Sequence, residues 1–174
     1  VVLASTGPSF CAGGDLEWMR EQQAADRAGK MAEAGRLSAM LSVLNALPKP
    51  LIARVQGNVY GGGVGLVAVS DIAIGAEGIK LALTETRLGL IPATIGPFVL
   101  RRMGVGMARQ VFFSGNTFGS DFALRASLLH EVCAADQLDE RVRRQTEAVL
   151  KTAPGATAAA KALCLALGED EEAD

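Results

Sequence analysis

Three consecutive glycines near the middle of the chain constrain its fold more than any other feature. Gly61, Gly62 and Gly63 separate a short apolar segment, 50–56, from an apolar run at 64–69. The first segment is typical of a buried strand and the second of a short buried helix. Glycines at such a junction adopt backbone angles that other residues avoid, and they let a ligand approach the main chain. Because the first turn of a helix carries unpaired N–H groups and the positive end of its dipole, the junction predicts a site for an anion or a developing oxyanion.

A glycine turn that serves only close packing is the alternative for this junction taken alone. A second glycine pair upstream favours ligand binding. Gly13 and Gly14 follow a candidate strand, 1–4, and a loop, 5–9, and they precede Asp15, a suitable helix N-cap. Two such junctions can direct two main-chain N–H groups at one oxygen, which is how an oxyanion hole is built.

Composition excludes several classes of function. The chain has 174 residues, is 49% hydrophobic and has a net charge of -2, so it offers no basic surface for nucleic acid. No apolar run approaches the roughly 20 residues of a membrane span, and no membrane partner is expected. The three cysteines lack paired spacing, which predicts no disulfide framework, no metal site and a reducing, cytoplasmic location. The chain starts without Met in a candidate strand, and we expect it to be part of a longer protein.

Strand-like and helix-like patterns alternate along the rest of the chain. Predicted strands cover 1–4, 50–56, 72–76, 80–83 and 128–132, and predicted helices cover 26–47, 64–69, 95–104, 107–113, 121–126, 138–150 and 156–167.

Glu85 is the candidate acid or base. It lies between an apolar strand, 80–83, and an apolar loop, and burial beside the glycine site would raise the pKa of its carboxyl into a useful range. The alternative is an exposed carboxylate paired with Arg87. His130, the only histidine, is interpreted as a structural or surface residue, because no Gly-x-Ser-x-Gly nucleophile motif is present. Cys11, next to the glycine pair, is interpreted as a small packed residue and not as a nucleophile.

Four segments occur in the order and spacing of the crotonase (enoyl-CoA hydratase/isomerase) superfamily, and the chain resembles that family over nearly its whole length. The segments are 10–16, 48–50, 57–71 and 85–92. The resemblance implies an α/β fold, namely a crotonase-like ββα spiral with a helical C-terminal part. It assigns 1–110 to the spiral core, without its N-terminal strands, and 111–174 to the helical part. It also implies self-association as a homotrimer or a dimer of trimers.

The same resemblance implies an acyl-CoA thioester as the substrate, with coenzyme A as part of the substrate and no separate cofactor. At the matching positions, Gly14 and Gly62 are the two oxyanion donors, and Glu85 delivers the α-proton. The residues expected to line the substrate and coenzyme A site are Ala12, Gly13, Gly14, Asp15, Leu16, Gly61, Gly62 and Pro92.

One departure from the family pattern affects the expected reaction. Typical hydratases carry a second glutamate that helps to activate water, and its position here is Gly65. The loop 92–98 and the segment 64–66 resemble bacterial hydratases that act on 3-methylglutaconyl-CoA and isohexenylglutaconyl-CoA, whose second carboxylate Arg87 or Arg102 is suited to meet.

We therefore expect a bacterial, cytoplasmic enoyl-CoA hydratase, with a branched glutaconyl-type substrate as the narrower expectation. A Δ3,Δ2-enoyl-CoA isomerase that uses a single glutamate is the first alternative. A non-catalytic CoA-binding homologue is the second.

Overall fold

The first part of the chain repeats a unit of two strands followed by a helix. The computed structural model describes residues 1–15, 17–18 and 24–170. The repeating units are β1 (Val2–Ala4), β2 (Ser9–Cys11) and α1 (Arg27–Asn45), then β3 (Ile52–Val55), β4 (Asn58–Tyr60) and α2 (Gly62–Ala68), then β5 (Ile72–Ala76), β6 (Lys80–Ala82), a 3-10 turn (Glu85–Leu88) and α3 (Gly96–Ser114). The remaining elements are β7 (Phe118–Gly119), α4 (Ser120–Arg125), β8 (Glu131–Cys133), a 3-10 turn (Ala135–Gln137), α5 (Leu138–Leu150) and α6 (Pro154–Asp170).

The strands of each unit join two different sheets. The first sheet has the order β1-β3-β5-β8, and all its neighbouring strands are parallel. The second has the order β2-β4-β6-β7, with β7 antiparallel to β6. Each unit therefore adds one strand to each sheet and one helix outside them, which is a ββα spiral. The predicted α/β spiral is confirmed.

The chain crosses from one sheet to the other through a point that admits only glycine. Gly57 lies between β3 and β4, and a Cβ at this residue would collide with the carbonyl oxygen of Pro8. Pro8 lies on the preceding crossing, between β1 and β2. Gly57 thus allows two successive turns of the spiral to stack closely.

Apolar side chains of both sheets and of α1, α2 and α3 form the main core. Its fully buried members include Leu41, Val55, Val59, Val64 and Leu81. A second cluster, made by Ile52, Ile74, Cys133, Leu138 and Val142, packs α5 against the first sheet. Helix α3 breaks at Gly104, where φ is 71°, so the two helices predicted on either side of that glycine are confirmed.

Short strands account for most differences from the predicted elements. β2, β4 and β7 lie in segments for which no strand was predicted, because two or three residues show too little alternation to be recognised. The strand predicted over 128–132 is displaced to Glu131–Cys133.

The predicted boundary between the spiral core and the helical part falls inside a helix. Residue 110 lies within α3, and β8, which follows it in the chain, pairs with β5. The division of the chain at residue 110 therefore stays a prediction.

Candidate active site

The predicted site residues follow the carboxyl ends of three neighbouring strands. β2, β4 and β6 are adjacent and parallel in the second sheet, and they end at Cys11, Tyr60 and Ala82. Carboxyl ends of parallel strands meet at one edge of a sheet, where ligands commonly bind. The loops that start there carry the first glycine pair, the glycine triplet and Glu85.

Gly61 lies where these three loops converge. Its φ is 51°, and its N–H donates to the carbonyl oxygen of Ala82 over 3.1 Å. A Cβ at Gly61 would lie 3.9 Å from Glu85 Oε1 and 3.9 Å from the Cα of Gly13. The left-handed backbone favours glycine at this position. The structure thus brings Gly13, Gly61 and Glu85 together.

The first glycine pair leads into a capped helical turn. Asp15 Oδ1 accepts hydrogen bonds from the N–H groups of Glu17 and Trp18, both at 2.9 Å. This is N-cap geometry, and it leaves Gly14 directly before the turn. Ala12, Gly14 and Asp15 are exposed. Leu16, which was expected in the same site, lies outside the described residues.

The glycines at the start of α2 also permit close packing. A Cβ at Gly63 would lie 2.5 Å from Cys11 Cβ, whereas one at Gly62 would meet Leu37 Cδ2 at an ordinary 3.8 Å. Gly63 is therefore required by the contact between α2 and β2. Cys11 fills that contact, which agrees with its interpretation as a packed residue.

Glu85 is half-buried, and its environment disfavours the charged carboxylate. Oε2 is enclosed and has no hydrogen-bond partner. Burial raises the pKa of Glu85 above its ordinary value, and a backbone hydrogen bond opposes this effect in part. Arg87 does not pair with it, because Arg87 Nη2 donates to Asn116 Oδ1 at 2.5 Å. A carboxyl group with a raised pKa is suited to exchange protons near neutral pH.

The position of the second family glutamate is closed to side chains. Gly65 is buried, and a Cβ there would lie 2.8 Å from Ile95 Cγ2 and 3.1 Å from Leu41 Cδ1. Both neighbours are buried aliphatic residues. The space beside Gly65 is therefore occupied by hydrocarbon, and Glu85 is the carboxylate that lies next to Gly61.

The other residues singled out from the sequence have mainly structural contacts. Pro92 is buried, and its carbonyl oxygen accepts the N–H of Gly96 at 2.6 Å, just before α3. Arg102 donates to the carbonyl oxygen of Ser70, at the far end of α2. His130 Nδ1 accepts the N–H of Ala73 at 2.9 Å, which is a structural role.

Sequence reasoning did not identify the residues that hold the turn bearing Glu85. Thr86 Oγ1 donates to the carbonyl oxygen of Phe112 at 3.0 Å, and Arg87 binds Asn116. These partners are separated by 26 and 29 positions in the chain, so no local sequence pattern predicts the two contacts.

Comparisons with known proteins agree with this arrangement. The family model described as enoyl-CoA hydratase/isomerase matches residues 1–173. Among characterised relatives, the enoyl-CoA hydratase ACTT6 of Alternaria alternata is 32% identical over 94% of this chain and 53% of its own length. The carnitinyl-CoA dehydratase of Proteus mirabilis is 32% identical over 92% of this chain and 60% of its own length.

Solved structures match the fold closely. An enoyl-CoA hydratase from Shewanella pealeana has a TM-score of 0.94 and 38% identity, covering 97% of this chain and 63% of that one. Pseudomonas aeruginosa AtuE has a TM-score of 0.92 and 39% identity, covering 99% of this chain and 70% of that one. The chain thus spans about half to two thirds of the length of these relatives. Within its described part, no helix is long and apolar enough to cross a membrane. With the family model matched almost end to end and the crotonase fold reproduced, the chain belongs to the enoyl-CoA hydratase/isomerase family.

Proposed function

We propose that the full-length protein is an enoyl-CoA hydratase, which adds water across the 2,3-double bond of an acyl-CoA thioester. The observation that carries the proposal is the convergence of Gly13, Gly61 and a half-buried Glu85 with an unpartnered Oε2. In this proposal the N–H groups of Gly14 and Gly62 bind the thioester oxygen, which becomes negative as the enolate forms.

Glu85 performs both proton transfers of the addition, first as the base and then as the acid. Its carboxylate takes a proton from water while the water oxygen bonds to C3, and the electrons of the double bond pass to the thioester enolate. The protonated Glu85 then delivers a proton to C2, and the enolate returns to a carbonyl. The raised pKa of Glu85 supports this dual role. A group that acts first as a base and then as an acid works best when its pKa lies near the working pH.

The coenzyme A portion would lie along the loops that follow β2 and β4. The exposed main chain of Ala12, Gly14 and Asp15 offers N–H and carbonyl groups there. No separate cofactor is proposed, and the cytoplasm remains the expected location. A branched glutaconyl-type substrate is the narrower proposal. Of the two arginines suggested for its carboxylate, Arg87 is bound to Asn116, and Arg102 binds Ser70 at the opposite end of α2 from Gly61.

An isomerase that shifts a double bond between the 3- and 2-positions is the second candidate. The aliphatic surroundings of Gly65 favour it, because Ile95 and Leu41 leave no room for a second carboxylate to activate water. A lone carboxylate is sufficient to carry a proton between two carbons. A non-catalytic homologue that only binds CoA remains the third candidate.

A paired assay of the full-length protein separates these candidates. Loss of the 2-enoyl thioester absorbance is followed with crotonyl-CoA and 3-methylglutaconyl-CoA, and its appearance is followed with a 3-enoyl-CoA. Hydration supports the main proposal, and faster turnover of the branched substrate supports the narrower one. Isomerisation without hydration contradicts the hydratase proposal and supports the isomerase. Acyl-CoA binding without turnover favours the non-catalytic homologue.

Glu85→Gln tests the assigned acid/base. We expect kcat to fall about a thousandfold, the contribution typical of general acid–base catalysis, while acyl-CoA affinity stays within about threefold. Glu77→Gln is the matched control, because Glu77 is an exposed residue of the turn after β5. Nearly intact turnover in Glu85→Gln would contradict the mechanism.

A further inference from the structure

A cavity lies at the opposite end of α2 from Gly61. It has a volume of about 740 Å³, and its lining includes Ser70, Asp71, Arg102 and Lys161. With seven residues in α2 and a rise of about 1.5 Å per residue, the two ends of this helix are about 10 Å apart. The cavity lies between the end of α2, the first half of α3 and helix α6, and neither Glu85 nor Gly61 lines it.

Among the described residues that line this cavity, Arg102 and Lys161 carry positive charge close to one carboxylate, that of Asp71. Asp71 Oδ2 already accepts from Lys161 Nζ at 2.8 Å and from the N–H of Leu51 at 2.7 Å. The Lys161 side chain is only 10% exposed. Asp71 thus forms its ion pair with Lys161, and the positive charge of Arg102 is not neutralised by that pair.

Arg102 lacks an anionic partner within the described residues. Its Nη2 donates to the carbonyl oxygen of Ser70, and its Nε is enclosed without a partner. Its Nη1 lies 3.5 Å from His130 Nε2. Since His130 Nδ1 accepts the N–H of Ala73, the neutral imidazole carries its proton on Nε2 and cannot accept from Arg102. Burial lowers the pKa of Arg102 and the proximity of Asp71 raises it, as expected for a guanidinium without a paired carboxylate.

Part of the remaining lining is apolar. Val69, Phe98, Val149 and Leu165 contribute to it, beside the polar residues Asn45, Ser127 and His130. Its volume falls within the range of small-molecule sites, and such sites combine apolar walls with a few convergent polar groups. A carboxylate or phosphate oxygen forms its strongest hydrogen bonds with arginine and lysine. The lining therefore selects for an organic anion with an apolar body.

We propose that this cavity binds an aliphatic carboxylate, with its oxyanion at Arg102 and Lys161 and its chain against Phe98, Val149 and Leu165. The site is separate from the proposed acyl-CoA site and does not depend on it. A bound carboxylate would also link α6 to α3, because Lys161 and Arg102 lie on those two helices.

Calorimetric titration of the full-length protein tests the proposal with two probes, octanoate and inorganic phosphate. We expect octanoate to bind at one site and phosphate to bind about tenfold or more weakly, because phosphate cannot use the apolar walls. Lys161→Met and Arg102→Gln should each weaken octanoate binding about tenfold or more. Arg36→Gln, which changes an exposed arginine of α1 that pairs with Glu33, should leave it unchanged.

Three controls keep the result unambiguous. Octanoate should stay bound when butyryl-CoA saturates the proposed catalytic site, and Glu85→Gln should bind it as the unaltered protein does. If Arg102→Gln fails to fold, Arg102→Lys replaces it, because lysine keeps a positive charge at this position. Lys161→Met tests the same cavity independently. Absence of octanoate binding, displacement by butyryl-CoA, phosphate binding of equal strength, or indifference to the Lys161 change would each overturn the proposal.

Discussion

The Glu85 carboxyl group is held where its ionised form is disfavoured, and this has a consequence for stability. Burial raises the pKa of Glu85 above the ordinary value of 4.5. The folded state therefore binds this proton more tightly than the unfolded state. Stability contributed by the protonated group is present at low pH and is lost as pH rises through the folded pKa.

We accordingly expect Glu85→Gln to unfold at a higher temperature than the unaltered protein at about pH 7.5, with the difference shrinking toward about pH 4. Thermal melts of both proteins across this range measure it. Glu77→Gln, which alters an exposed carboxylate, should show no such trend. If Glu85→Gln instead lowers the melting temperature at neutral pH, the charged carboxylate is favoured by its surroundings and the expectation is wrong.

Ser127 occupies a backbone conformation that favours glycine. Its φ is 59°, and among the described residues no other non-glycine residue has a positive φ. It follows α4, and its N–H donates to the carbonyl oxygen of Leu124. A left-handed conformation costs an L-residue about 1–2 kcal/mol. Glycine avoids this cost in the folded state, but its greater conformational entropy in the unfolded state offsets part of the gain.

Ser127→Gly should therefore raise the free energy of unfolding by about 0.5 kcal/mol. Ser38→Gly, within helix α1, should lower it by about 0.5 kcal/mol. Urea denaturation of the two variants and the unaltered protein gives both values. The same sign at both positions would contradict the assignment of strain at Ser127.

At the scale of elements, the 3-10 turn bearing Glu85 is anchored to the end of α3. Thr86 Oγ1 donates to the carbonyl oxygen of Phe112, and Arg87 donates to Asn116. The Arg87 stem is also in close contact with the main chain at Gly115, where a Cβ would lie 3.0 Å from Arg87 Cγ. We infer that these contacts fix the orientation of the turn and therefore the position of the Glu85 side chain.

We expect Arg87→Met to lower kcat about tenfold while KM changes by less than about twofold, because a displaced acid/base affects the reaction more than substrate binding. Asn116→Ala should have a similar effect, and the double variant should be no worse than either single one. Steady-state kinetics on the best substrate measures all three. Arg109→Gln is the matched control, since Arg109 lies on α3, to which the turn is anchored, and stacks over Phe113 instead of binding the turn. Additive losses would show that Arg87 and Asn116 do not act as one unit.

The loops of the candidate site were easier to predict from the sequence than the elements that support them. Gly61 and Glu85 were recognisable because the turn chemistry and the apolar flanks are local features. β2 and β4 were not recognised, although they are what brings the glycine pair beside the triplet, because three-residue strands show no periodicity. The Arg87–Asn116 contact and the cavity at Arg102 join segments far apart in the chain, so only the folded structure reveals them.

At the scale of the whole molecule, the surface next to the proposed site is unusually apolar. Leu88, Leu90 and Ile91 are 67%, 60% and 75% exposed, and Phe113, at the end of α3, is 70% exposed. Phe113 adjoins Phe112, whose carbonyl oxygen binds Thr86, two residues before Leu88. Large apolar groups clustered on a surface mark an interaction site.

We therefore predict that the full-length protein self-associates through this region, as a homotrimer or a dimer of trimers. Light scattering after size-exclusion chromatography should give the mass of one of these assemblies. Ile91→Glu should shift the protein toward the protomer mass, because a carboxylate buried in an apolar interface costs several kcal/mol. Leu150→Glu is the control, since Leu150 is 77% exposed at the end of α5. Because residues 88–91 directly follow the turn bearing Glu85, dissociation should also reduce kcat. An unaltered protein that is a monomer at micromolar concentration would contradict the prediction, as would equal dissociation of both variants.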